Sequence, residues 1–359
     1  MNKNYKKLLG DAVLIRLFLI LLLVLYHSFC VFCGAWEVPN GFPEIPVYWW
    51  VGKAVSSFML ETFVFLSGYL YGEQIQKKGI GVVNFESTIL RKAKRLLLPC
   101  FLFGGVYYVM FYDLSKPVSE IIYSILNGTG HLWFLPMLFW CFVCVYGIEK
   151  LHISPKVVIP LLTVAALCSI LPLPFRLGKT MYYLLFFYVG YCIKRNTWNV
   201  ERFFSGKYTA VCAALYLSSF VLFTIFDNLF LTGNISVGAG WGDVLIFSIL
   251  QNKAYFCWIR FSSLCYSAFG TAMVFCGVNW LQRNNRLQVT RGMVKLSSLC
   301  FGVYICQQFI LKILYYRMDG LNRIDSLVLP WIGFFITLFL SLFLSHLLLK
   351  TRLGRFFIG

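Results

Sequence analysis

The chain has 359 residues, of which 59% are apolar and only 13% charged, and its mean hydropathy is +0.74. A soluble domain carries about 25% charged residues, so the composition excludes an ordinary water-soluble fold. The net charge of +18 would suit a nucleic-acid partner, but its distribution along the chain argues against one.

Ten apolar runs of roughly bilayer length lie at 12–33, 48–71, 96–112, 131–148, 157–171, 180–193, 208–231, 255–280, 296–316 and 327–349. They predict an all-α polytopic membrane protein of about ten transmembrane helices, both termini cytoplasmic. Residues 1–359 read as a single membrane domain with no appended soluble domain. The first run has Lys6 and Lys7 ahead of it, like a secretory signal, but it lacks a small-x-small cleavage site and reads as a retained span. The fifth and sixth runs are short and are separated by Pro172 and Pro174, and Trp241–Leu250 is too short to span and reads as interfacial. With the N-terminus inside, the cytoplasmic segments hold twenty-two Lys and Arg residues. The opposite side holds six: Lys116, Arg176, Lys179, Lys253, Arg317 and Arg323. That asymmetry is the positive-inside pattern, so the excess charge is topological. It places a multi-pass protein in the cell (inner) membrane, with the lipid bilayer as its first partner.

Polar residues inside the spans carry the functional information. Arg16 and His27 interrupt the first run, and a charge within a span costs at least ~2.5 kcal/mol unless it faces the protein interior. Eleven residues apart, the two share a helix face, offset by about 20° and separated by about 16 Å along the axis. That arrangement suits a long, anionic, activated substrate. In the second run Glu61 either orients the imidazole or serves as counter-ion to Arg16. Ser67-Gly68 either packs a neighbouring helix or hydrogen-bonds across it. The cluster Arg91, Lys92, Lys94 and Arg95 enters the third run from the cytoplasmic side. It is either an anchor or a grip on the phosphates of a cosubstrate. His131 and Trp133 open the fourth run at the other face, where they form part of an aromatic belt or hold a sugar ring. Asp227, Arg260 and Lys312 are further ionisable residues at or near span positions. The thirteen cysteines include Cys30-x-x-Cys33 and Cys141-x-x-Cys144; on buried helices these read as small apolar fillers, and no metal site is expected.

In order and spacing, these motifs resemble the integral-membrane acyltransferase-3 family, whose members acylate cell-surface glycans. The Arg-x10-His of the first span is Arg16 and His27. The second-span block aligns as Glu61-Thr-Phe-Val-Phe-Leu-Ser-Gly-Tyr69, the basic entry as Arg91 to Pro99, and a His-Leu-Trp-Phe-Leu block as His131 to Leu135. Near the C-terminus Cys300-Phe-Gly-Val-Tyr-Ile-Cys-Gln307 keeps Gly302 and Tyr304 of the family pattern. Cys and Gln there replace its Ser and His.

The resemblance implies transfer of an acyl group, most often acetyl, from cytoplasmic acetyl-CoA or another acyl-CoA. The acceptor is a hydroxyl of a cell-surface polysaccharide or its lipid-linked glycan precursor. A hydroxyl is a weak nucleophile and needs a base, for which histidine is the usual choice. The catalytic set is then His27 as general base with Arg16 and Glu61. On the cofactor side stand Arg16, Arg91, Lys92, Lys94, Arg95 and Ser67, and His131, Trp133, Tyr304 and Gln307 hold the acceptor. Gln307 can hydrogen-bond a substrate but cannot act as base. Polysaccharide-assembly proteins are candidate partners, and no nucleic acid or metal cofactor is expected. A polytopic transporter or flippase for a lipid-linked sugar is the alternative, and a non-catalytic assembly scaffold a third reading. A transporter would more often show two related halves or broken helices in matching positions, and neither is visible in the chain.

Overall fold

The computed structural model describes residues 10–39, 42–43, 45–78, 86–169, 173–195, 198–231, 253–318 and 320–358. Trp241–Leu250, Lys3, Lys6, Lys7, Pro172 and the side chains of Asp227 and Lys253 lie outside the described residues.

Each of the ten apolar runs forms a helix. They are α1 (Gly10–Phe29), α2 (Pro46–Lys78), α3 (Arg91–Phe111), α5 (Phe134–Lys150), α6 (Pro155–Leu167), α7 (Leu177–Arg195), α8 (Gly206–Leu231), α9 (Lys253–Arg283), α10 (Arg291–Arg317) and α11 (Leu329–Lys350). Two shorter helices complete the set, α4 (Val118–Leu126) between α3 and α5, and α12 (Arg352–Ile358) after α11. Among the described residues there is no strand. Eight of the ten are long and apolar enough to cross a bilayer, whereas α6 has only 13 residues and α7 has 19. At 33 residues, α2 is about 50 Å long, well beyond a ~30 Å hydrocarbon core. Local chemistry sets several boundaries. Ser154 caps α6 and accepts from Lys156 N, with Pro155 at the first helical position, where a missing N–H costs nothing. Thr290 caps α10 by accepting from Met293 N at 3.2 Å.

Contacts divide the chain into two compact units. One comprises residues 1–63 and 200–343, the other residues 64–199 and 344–359. In the first unit, Ser267 Oγ donates to the Ser57 carbonyl, and Thr62 Oγ1 and Thr271 Oγ1 lie 3.0 Å apart. Tyr216 Oη lies 3.0 Å from Ser57 Oγ. These bonds tie α2 to α8 and α9 through small polar side chains, as membrane helices do when no hydrophobic difference separates lipid from neighbour. In the second unit, α2 and α7 meet backbone to backbone. A Cβ on Gly68 would fall 1.9 Å from the Phe187 carbonyl oxygen, and one on Gly190 would fall 2.2 Å from that of Phe65.

Helix direction supports ten crossings. In the second unit Trp133 meets Tyr183, Phe142 meets Phe187 and Tyr191 donates to Glu149, so α5 and α7 run parallel. The chain must therefore return between them, and α6 is the segment that does so. Tyr107 against His131 and Lys92 against Phe142 make α3 and α5 antiparallel, as consecutive spans should be. In the first unit Gly206 against Trp280 and Phe223 against Trp258 make α8 and α9 antiparallel.

Candidate active site

Arg16 and His27 lie on α1, His27 in its last turn. Arg16 Nη1 donates to Ser297 Oγ at 3.4 Å, and Tyr315 Oη donates to the Ser28 carbonyl at 2.9 Å. These two bonds make α1 and α10 parallel and set their register. Gln307 stands ten residues beyond Ser297 and eight before Tyr315, about 15 Å and 12 Å along the axis. It is therefore level with the stretch Ile20–Tyr26 of α1. Gln307 has no exposed surface, and neither its amide nitrogen nor its amide oxygen has a hydrogen-bond partner among the described residues. A buried amide left so costs about 1–3 kcal/mol, and among the described residues of this unit it is the one side chain with two such atoms. Tyr304, one turn earlier, is half-buried against Phe301.

His27 is 8% exposed, and the chain beyond α1 folds back over it. The helix stops at Phe29, Gly34 takes φ +71°, and the Ala35 and Trp36 amides both donate to the Cys30 carbonyl at 3.0 Å. The first apolar run therefore continues four residues past its helix, as a turn that returns Trp36 to stack on His27. The ring centroids are 5.8 Å apart and the planes 25° from parallel. Beside this turn Phe29, Val31, Phe32, Tyr48, Leu311, Leu314, Tyr315 and Leu329 form an apolar cluster. Glu61 is buried in α2 at 6% exposure, next to the Thr62–Thr271 bond.

The remaining candidates belong to the second unit. Arg91, Lys94 and Arg95 are exposed and form no ion pair among the described residues. Lys92 differs, since its Nζ turns inward to lie 4.2 Å from the Phe142 ring centroid and 6.0 Å from that of Tyr71. Ser67 is half-buried on α2 beside the close Gly68 contact. His131, 5% exposed, packs edge-on against Tyr107 with centroids 5.9 Å apart. Trp133 lies under the Lys179 ammonium at 3.8 Å and beside Tyr183.

The His131 segment is held from below by residues whose role the motifs did not reveal. Gly128 has φ +79°, and a Cβ there would sit 2.6 Å from Trp133 Cα. Arg176 Nε donates to the Asn127 carbonyl at 2.8 Å and Nη2 to that of Gly128 at 3.4 Å. Burial draws the Arg176 guanidinium below its ordinary value, opposed by Tyr123, Cys100 and Tyr112. Trp36, Lys179 and Tyr183 were missed as well. Belt aromatics and loop cations are abundant in any membrane protein, and only tertiary contact singles these out.

A family model described as an acyltransferase domain, acyltransferase-3, matches residues 13–350. No curated protein and no solved structure matches the chain. The match covers nearly all of the sequence and includes every candidate residue above, so this multi-pass membrane protein belongs to the acyltransferase-3 family of acyltransferases.

Proposed function

We propose that the protein is an O-acyltransferase of the cell (inner) membrane. It moves an acyl group, most often acetyl, from cytoplasmic acyl-CoA to a hydroxyl of a cell-surface polysaccharide or of its lipid-linked precursor. The observation that carries this reading is the end of α1, where a buried imidazole under an indole shares a helix face with Arg16, while the parallel α10 carries the unsatisfied amide of Gln307. His27 takes the acceptor proton as the hydroxyl oxygen attacks the thioester carbonyl. A C–O bond forms, the C–S bond breaks, and the proton leaves with the CoA thiolate. Arg16 steadies the donor on the cytoplasmic side of His27, and Glu61 orients the base. Gln307 and Tyr304 hydrogen-bond the substrate, with an amide N–H available where negative charge develops. On the second unit, Arg91, Lys94 and Arg95 are suited to CoA phosphates because their charges carry no ion pair among the described residues. Ser67 and Lys92 support that side, and His131 and Trp133 offer a polar donor and an aromatic face to a sugar. Polysaccharide-assembly proteins are the partners this activity would require.

The test is transfer from radiolabelled acetyl-CoA in membranes holding matched amounts of wild type, His27→Ala and Arg16→Ala. Glycan labelling in wild type that falls by about 10²-fold or more in His27→Ala supports the base. Undiminished label in His27→Ala would overturn it, and no wild-type label with either acetyl- or succinyl-CoA would overturn the acyl-transfer reading itself.

A further inference from the structure

The aromatic roof over His27 carries a cation that the acyl-transfer chemistry does not use. Lys312 lies near the end of α10, which runs parallel to α1, so both helices end on the same side as Trp36. Its ammonium stands 4.5 Å from the centroid of the Trp36 ring and 3.9 Å from that of Tyr316. The Tyr316 hydroxyl donates to the Glu37 carbonyl, which ties the α10 end to the turn after α1. One indole therefore touches both the imidazole of His27 and the ammonium of Lys312. No carboxylate forms an ion pair with Lys312 among the described residues, although Glu37 lies in the adjoining turn. Lys312, Trp36 and Tyr316 are only half-buried, unlike His27 beneath them.

Cation–π contact with two rings contributes about 0.5–2 kcal/mol and fixes the ammonium in place; Glu37 acts on its charge from a distance but forms no ion pair with it, so the N–H donors face outward without a carboxylate partner among the described residues. A snorkelling lysine would instead extend its head away into water. The charge distribution along the chain places this end on the face opposite the Lys- and Arg-rich one, where a glycan acceptor arrives and acyl-CoA does not.

We propose that Lys312, framed by Trp36 and Tyr316, is an anion subsite that selects acceptors carrying a carboxylate or phosphate close to the hydroxyl acylated at His27. The inference rests on the glycan-acceptor reading above and narrows it to acidic glycans. A sugar ring set against the aromatic faces would present its hydroxyl to the imidazole while its acidic group meets the ammonium.

The experiment is equilibrium binding to the full chain in nanodiscs, without acyl-CoA, using three probes: a glucose tetrasaccharide, a glucuronic acid tetrasaccharide and a glucose tetrasaccharide bearing one phosphate. Wild type should bind one or both acidic probes at least about tenfold more tightly than the neutral one. A preference for glucuronate identifies a sugar acid, and a preference for the phosphate identifies a phosphorylated glycan. Lys312→Gln should abolish the preference and Lys312→Arg should keep it. Should Lys312→Gln fail to fold, Lys312→Met replaces it, since an unbranched apolar chain suits the span. Equal binding of all three probes by wild type, or a preference that survives loss of the charge, overturns the subsite. Labelled acyl transfer is measured separately. Transfer without an acidic preference refutes only the subsite, and an acidic preference without transfer refutes only the acyltransferase reading.

Discussion

At the level of single residues, the features that matter are polar groups whose surroundings do not satisfy them. Gln307 is the clearest case. An amide with no exposed surface and no partner for either end is a burden that a stability-driven position would shed. Gln307→Met keeps the volume and removes the unsatisfied groups, so the melting temperature in detergent should rise by the equivalent of about 1–3 kcal/mol while kcat/KM falls. A parallel loss of both would show that the amide is structural, and no change in either would remove it from the site. The basic entry shows how far residue identity reaches. Arg91, Lys92, Lys94 and Arg95 form one cluster in sequence, yet Lys92 alone turns onto Phe142 and Tyr71. Side-chain direction on a helix depends on which neighbour offers an aromatic face, and that neighbour is some fifty residues away.

Among the helices, close approach is the main device. The pair Ser67-Gly68 was open between packing and hydrogen bonding when read as a sequence; the structure puts Gly68 directly against the Phe187 carbonyl, with Gly72 against that of Tyr191 one turn later. Small residues four apart let two membrane helices touch backbones. Gly68→Ala would force the helices apart and cost about 1–3 kcal/mol. Gly147→Ala, where an added Cβ meets nothing within 4 Å, should be neutral or stabilise by up to about 1 kcal/mol. Thermal unfolding of the two purified variants checks this, and equal melting temperatures would refute the backbone-contact account. Helix ends were the least predictable feature. The first apolar run extends to Cys33, but the helix stops at Phe29 because Gly34 allows the chain to reverse. Hydropathy cannot distinguish a buried turn from another turn of helix.

For the molecule as a whole, ten crossings make a definite prediction about sidedness. A fluorescent protein that folds only in the cytoplasm should be bright when fused after Arg355 and after Arg195, and dark when fused after Leu126. Brightness at all three sites, or at Leu126 alone, would contradict the topology. The sequence by itself determined the membrane class, the ten helices and the family, because bilayer length, charge asymmetry and motif spacing are properties of the linear chain. Only the tertiary structure decided that contacts split the chain into two compact units, that Trp36 folds back over His27, and that Lys312 meets the same indole. Those outcomes depend on helix direction and register, which follow from how apolar faces and small residues match between distant segments. Composition and spacing do not encode that match.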